Sequence, residues 1–69
     1  METKLSIGAK LRSARHEAGM TQQEAAAIIG IDRGYLSRLE AGKINITIEV
    51  MCRYLDAVKA EIAISKEDS

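Results

Sequence analysis

The 69-residue sequence contains no phenylalanine, no tryptophan and no proline, and its only aromatic residues are Tyr35 and Tyr54. That excludes a sandwich of sheets around an aromatic centre. Alanine, leucine and isoleucine must fill the core, and such residues favour close-packed helices. Cys52 is alone, so neither an internal disulfide nor a cysteine-rich zinc site can form. No apolar run approaches the length a bilayer requires, and Met1 to Gly8 lack the apolar block of a signal peptide. A soluble, cytoplasmic chain is expected. There is also no excess of either charge: ten Lys and Arg face ten Asp and Glu. This rules out a simple polycation but leaves room for a local basic face. No Ser/His/Asp order, Gly-rich phosphate loop or metal-spaced cluster appears, so neither an enzyme nor a cofactor is expected. His16, Glu17 and Cys52 have no spacing that requires them to act together.

What is present is enough to fold. The hydrophobic fraction is 46%, which argues against disorder. A chain this short reads as one domain, 1–69, with a thin stability margin. Its helical patterns are separated by glycines. Ser6 is placed to cap a first helix in which Ile7, Leu11, Ala14 and Ala18 recur at helical spacing before Gly19. Lys10, Arg12 and Arg15 fall off that stripe and read as a solvated face, with Lys10 or Arg12 able to touch phosphate. Thr21-Gln22-Gln23-Glu24 is a capping box, with Met20 as a staple to Ala25, and the helix it starts stops at Gly30. Asp32 caps a third helix with Leu36 and Leu39 as its buried pair. After Gly42 and a linker, Thr47 caps a fourth, whose apolar stripe reads Ile48, Met51, Cys52 and Leu55. Cys52 is thus expected to be buried, and Tyr54 to lie off the stripe at a dimer contact.

From Val58 the period changes. Val58, Ala60, Ile62 and Ile64 alternate with Lys59, Glu61 and Ala63, the mark of a half-buried strand. A lone strand leaves its backbone groups unpaired, so the natural partner is the same strand of a second copy. The alternative is a continued fourth helix, since Val58, Ile62 and Ser65 fit helical spacing as well. The expected organisation is a helical core over 6–57 and a dimerisation strand over 58–65, with the tail from Lys66 to Ser69 frayed.

Two short helices joined by Gly30-Ile31-Asp32 form a helix-turn-helix unit, whose second helix can enter a DNA major groove. The run from Met20 to Gly42, with its Thr-Gln-x-Glu start, glycine turn and Tyr-Leu-Ser-Arg-Leu-Glu-x-Gly end, resembles the Cro/C1-type (XRE-family) repressors. The likeness extends from about Ile7 to Leu55, and Asn45-x-Thr47-Ile48-Glu49 resembles the family's approach to its fourth helix. Ile46 stands where the family usually has proline, and Ala25 where it often has a larger apolar residue. The resemblance implies an all-α, lambda-repressor-like bundle of four to five helices. It also implies that Gln22 meets a DNA phosphate with Gln23 beside it, that Arg33, Gly34, Tyr35 and Arg38 face base edges, and that Lys43 and Asn45 meet backbone. Ser37 is a phosphate donor or a plain surface residue.

The residue types agree with those roles. Arginine reads a guanine edge through two parallel donors, and Gly34 lets the helix backbone approach the groove floor. Asp32 is an unusual carboxylate near DNA and reads as a cap that also orients Arg33. Glu40 is better suited to an internal ion pair than to DNA, because phosphate repels it.

One recognition helix reads few base pairs, so a homodimer on a palindromic operator is expected, with two such helices about 34 Å apart. Its interface would be Val58, Ala60, Ile62 and Ile64. The ending from Tyr54 to Ile64 resembles that of HipB-type antitoxins, which implies an autoregulating repressor that also holds a toxin of the kinase fold. The other readings are a stand-alone phage or restriction-control regulator, and a protein-interaction module that has lost DNA binding.

Overall fold

The apolar residues close on one another through helices at every stage. A computed structural model describes residues 3–67 as four helices: α1 (Lys4–Glu17), α2 (Gln22–Ile29), α3 (Arg33–Glu40) and α4 (Ile48–Glu67). Of the frayed tail expected above, Asp68 and Ser69 lie outside the described residues.

Each start has a side-chain cap that satisfies one of the backbone donors left over in a first turn. Thr3 caps α1 by accepting from the Ser6 amide at 3.1 Å, so the helix begins earlier than a Ser6 cap would place it. Thr21 and Glu24 form the reciprocal box of α2, each bond 3.1 Å long. Asp32 accepts from the Gly34 amide at 2.9 Å, and Thr47 from that of Val50 at 3.2 Å. Gly30, with φ of 84°, closes α2 in the left-handed region that a residue with a side chain resists. Its amide and that of Ile31 both donate to the Ala26 carbonyl, which tightens the turn into α3.

The core gathers Leu11, Met20, Ala25, Ala26, Ile29, Leu36, Tyr54, Ala57 and Val58. Met20 and Ala25 share that cluster, as the staple requires, and Ile31 packs against it from the turn. The small residues let helices approach closely. The nearest approach is at Gly8, where a methyl group would stand 2.4 Å from the Leu39 carbonyl oxygen and 2.7 Å from that of Glu40.

Two expectations are overturned in α4. The first is the C-terminal strand: residues 58–64 continue the helix to Glu67. Alternation and helical spacing coexist there, and the helix wins because it pairs most backbone groups within the chain while a lone strand leaves its own unpaired. Val58 is buried and Ile62 packs against the core, so neither is available to a partner strand; Ala60 and Ile64 point outward. The second is the register of the buried face. Val50, Tyr54, Ala57, Val58 and Ile62 turn inward, whereas Ile48 is 82% exposed, Leu55 is 40% exposed and Cys52 is exposed. Tyr54 is therefore a core residue and not a dimer contact.

Gly8→Ala measures the α1–α3 approach. Alanine gains up to about 1 kcal/mol of helix propensity, but overpacking against backbone that cannot move aside costs about 1–3 kcal/mol. A net loss is expected, read as a lowered melting temperature by circular dichroism.

Candidate nucleic-acid interface

The outward face of α3 follows from what α3 buries. Leu36, Leu39 and Glu40 turn inward, leaving Arg33, Ser37 and Arg38 exposed. At 100° per residue, Arg33 and Arg38 stand about 140° apart, with the small residues Ser37 and Gly34 between them. A shallow strip flanked by two guanidiniums suits a helix that must approach base edges closely. Gly34 leaves room there for two neighbouring side chains. A methyl group there would meet the Asp32 cap carboxylate at 2.9 Å and Arg38 Nη1 at 3.6 Å, so the Arg38 guanidinium reaches back over Gly34. Tyr35 is half-buried at the margin beyond Arg38.

The remaining expected contacts lie around this strip. Gln22 opens α2 and Gln23 follows it, half-buried and exposed respectively. Gln22 and Ser37 line one cleft, together with Arg12 of α1. Lys43 and Asn45 are exposed on the α3–α4 loop. The loop is anchored where the Lys43 amide donates to the Arg38 carbonyl at 3.0 Å. Asn45 lines a separate hollow with Lys4, Ile44 and Met51, which shares no residue with the Gln22 cleft.

Beneath the surface lies a polar network that fixes α3. Arg15 donates from Nε to Glu40 Oε2 at 2.8 Å and from Nη2 to Oε1 at 2.9 Å, the fork geometry of a strong ion pair. Its Nη1 donates to the Met20 carbonyl at 2.9 Å, just before the α2 cap. The Tyr54 hydroxyl lies 2.8 Å from both Glu40 Oε2 and the Leu11 carbonyl oxygen and shares its proton between them. Gln22 Nε2 donates to Glu40 Oε1 at 3.2 Å. One carboxylate on α3 thus collects donors from α1, α2 and α4. Burial pushes the Glu40 carboxyl up, but the bonds from Arg15, Tyr54 and Gln22 outweigh it and hold the group below its ordinary 4.5. Tyr54 is pushed above its ordinary 10, first by burial and then by the Glu40 carboxylate. The hydrogen bonds to Glu40 raise Arg15 further.

Arg15 corrects the expectation of a solvated residue, since it is only 5% exposed. The signal was in the spacing: Arg15 follows Leu11 by four residues and so borders the buried stripe. Glu40 makes the internal ion pair expected of it.

The chain matches a family described as helix-turn-helix domain over residues 6–63. It belongs to that family. It is also similar to a protein of Sinorhizobium fredii (strain NBRC 101917 / NGR234) named as an uncharacterized HTH-type transcriptional regulator, y4dJ, with 38% identity over 48 residues. The matched stretch is 70% of this chain and 62% of that relative, so the chain spans less than two thirds of the relative's length. No helix among the described residues is long and apolar enough to cross a membrane.

The network sets the pH range of the fold. Glu40 is more acidic folded than unfolded, so its contribution is present above pH 4.5 and is lost as pH falls below it. Tyr54 is less acidic folded than unfolded, so its contribution is complete below pH 10 and is lost as pH rises beyond it. Urea midpoints followed across pH are expected to fall at both ends. Glu40→Gln strands the Arg15 guanidinium and is expected to cost about 3–5 kcal/mol, enough to unfold much of a domain this small. Retention of the wild-type urea midpoint by that variant at neutral pH would contradict the network's role.

Proposed function

We propose that this protein is a sequence-specific DNA-binding transcriptional regulator that represses from a palindromic operator as a homodimer. The observation that carries the reading is the outward face of α3, where Arg33 and Arg38 bracket Gly34 and Ser37 on a helix held rigidly by the turn at Gly30 and by the buried Glu40. Arg33 and Arg38 read base edges. Gln22 and Gln23, at the start of α2, and Lys43 and Asn45, on the loop, hold the backbone. Tyr35 takes a marginal role beside Arg38. The name of the Sinorhizobium relative, a transcriptional regulator, favours the same reading. Two copies are required because one helix covers too few base pairs for useful discrimination.

The likeness to HipB-type antitoxins rested on a paired C-terminal strand. With α4 helical to Glu67, that ground is gone, and a stand-alone regulator without a toxin is the reading we retain.

A duplex selected from a random library against the purified chain tests this. Fluorescence anisotropy is expected to show tight, salt-sensitive binding to the selected duplex and weak binding to a scrambled one. Two chains should bind a palindromic site and one a single half-site. Arg33→Ala or Arg38→Ala should each cost about 1–3 kcal/mol and relax preference at a base pair, whereas Lys43→Ala should weaken all duplexes alike. Failure to enrich any duplex would favour a module whose partner is another protein.

A further inference from the structure

We propose that two copies of this chain pair through the outward face of α4, antiparallel about a two-fold axis near residue 54. This deepens the homodimer part of the regulator reading and rests on it. Val58 is buried and Ile62 packs on the core, so the alternating residues of the C-terminal segment cannot join two copies and another surface is needed.

The outward face of α4 carries an apolar stripe. Ile48, Cys52 and Leu55 recur at i, i+4 and i+7, which lines them up along the helix. Ile48 is 82% exposed, the most open large apolar side chain among the described residues. Leu55 is 40% exposed and Cys52 is exposed. The opposite side of the same helix is held in the core by Val50, Tyr54, Ala57 and Val58, so the stripe faces away from the rest of the fold.

The charges beside the stripe say what fits it. Glu49, Arg53, Asp56 and Lys59 are all exposed and alternate in sign along α4. Read backwards, the series is opposite in sign at every place, and its spacing is nearly symmetric about residue 54. At 100° per residue, Glu49, Arg53 and Asp56 share one flank of the stripe and Lys59 lies within it. A two-fold axis across antiparallel helices brings like flanks together. Arg53 then meets Asp56 of the second copy, and Glu49 meets Lys59. Glu49 and Arg53 already pair along their own helix, which holds both side chains on that flank. Exposed pairs add little affinity, but they set orientation and register between apolar stripes. A series that complements itself selects a second copy over a partner of another sequence. The stripe shares no residue with the α3 strip, so DNA and the second copy do not compete for side chains.

Cys52 stands two residues from the axis. At 1.5 Å of rise per residue the two copies of Cys52 lie about 6 Å apart along the helices, within reach of a short bismaleimide. Because the chain has one cysteine, any cross-link reports that position.

The test is sedimentation equilibrium of the 69-residue chain without DNA, joined to bismaleimide cross-linking. Wild type is expected to dimerise with rising concentration and to cross-link through Cys52. Ile48→Glu combined with Leu55→Glu should be monomeric and lose the cross-link, while its circular dichroism spectrum matches wild type because both side chains are exposed. Asp56→Arg should weaken the dimer several-fold at low salt, and adding Arg53→Asp to it should restore association. A double glutamate variant that stays dimeric would overturn this interface and leave the homodimer standing. A wild-type dimer that never cross-links would overturn the antiparallel register. A wild type that is monomeric at every concentration, and that binds a palindromic duplex as one chain, would overturn both the interface and the homodimer.

Discussion

The fold turns on one buried ion pair. Arg15 and Glu40 join α1 to α3, and their remaining hydrogen-bonding capacity reaches the Met20 carbonyl before α2, Gln22 at its start and Tyr54 of α4. A buried pair of this kind adds little stability over apolar residues of equal volume, yet loss of either partner is severe because the other charge is stranded. Its value here is directional. Contacts between leucine and isoleucine have no preferred direction, whereas a bidentate guanidinium tolerates a narrow range of positions. The helix that carries Arg33 and Arg38 is thereby held in register against the helix that carries Gln22.

The same network explains which half of α4 is buried. Two apolar stripes run along this helix, one through Ile48, Cys52 and Leu55 and one through Val50, Tyr54, Ala57 and Val58. Tyr54 decides between them, because its ring fills the core while its hydroxyl finds the Leu11 carbonyl and Glu40. A tyrosine buried with a partner satisfies both halves of its character. Once Tyr54 is inward, Ile48 and Leu55 must face outward.

The local devices of the fold were legible in the sequence, and the long-range ones were not. The capping box at Thr21, the Asp32 and Thr47 caps and the Gly30 turn each depend on residues within a few positions of one another, so spacing alone reveals them. The exposed strip of α3 followed from its two leucines. Arg15 looked solvated because a lone arginine at the edge of an apolar stripe is usually solvated, and its partner stands 25 residues away. The stretch from Val58 to Ile64 fits periods of two and of nearly four equally, and only the presence or absence of a pairing partner separates strand from helix. The meeting of Arg12 with Gln22 and Ser37 depends on the packing of α1 against α3, which no local pattern encodes.

A chain with balanced charge can meet a polyanion only through cations placed locally. Its acidic residues do not oppose the α3 face at random. Glu40 is neutralised inside the protein, Glu24 is turned back onto the Thr21 amide, and Asp32 onto that of Gly34. These three carboxylates accept from internal donors, while Arg12, Arg33, Arg38 and Lys43 are exposed. Capping and core packing therefore shape the electrostatic surface as well as the fold.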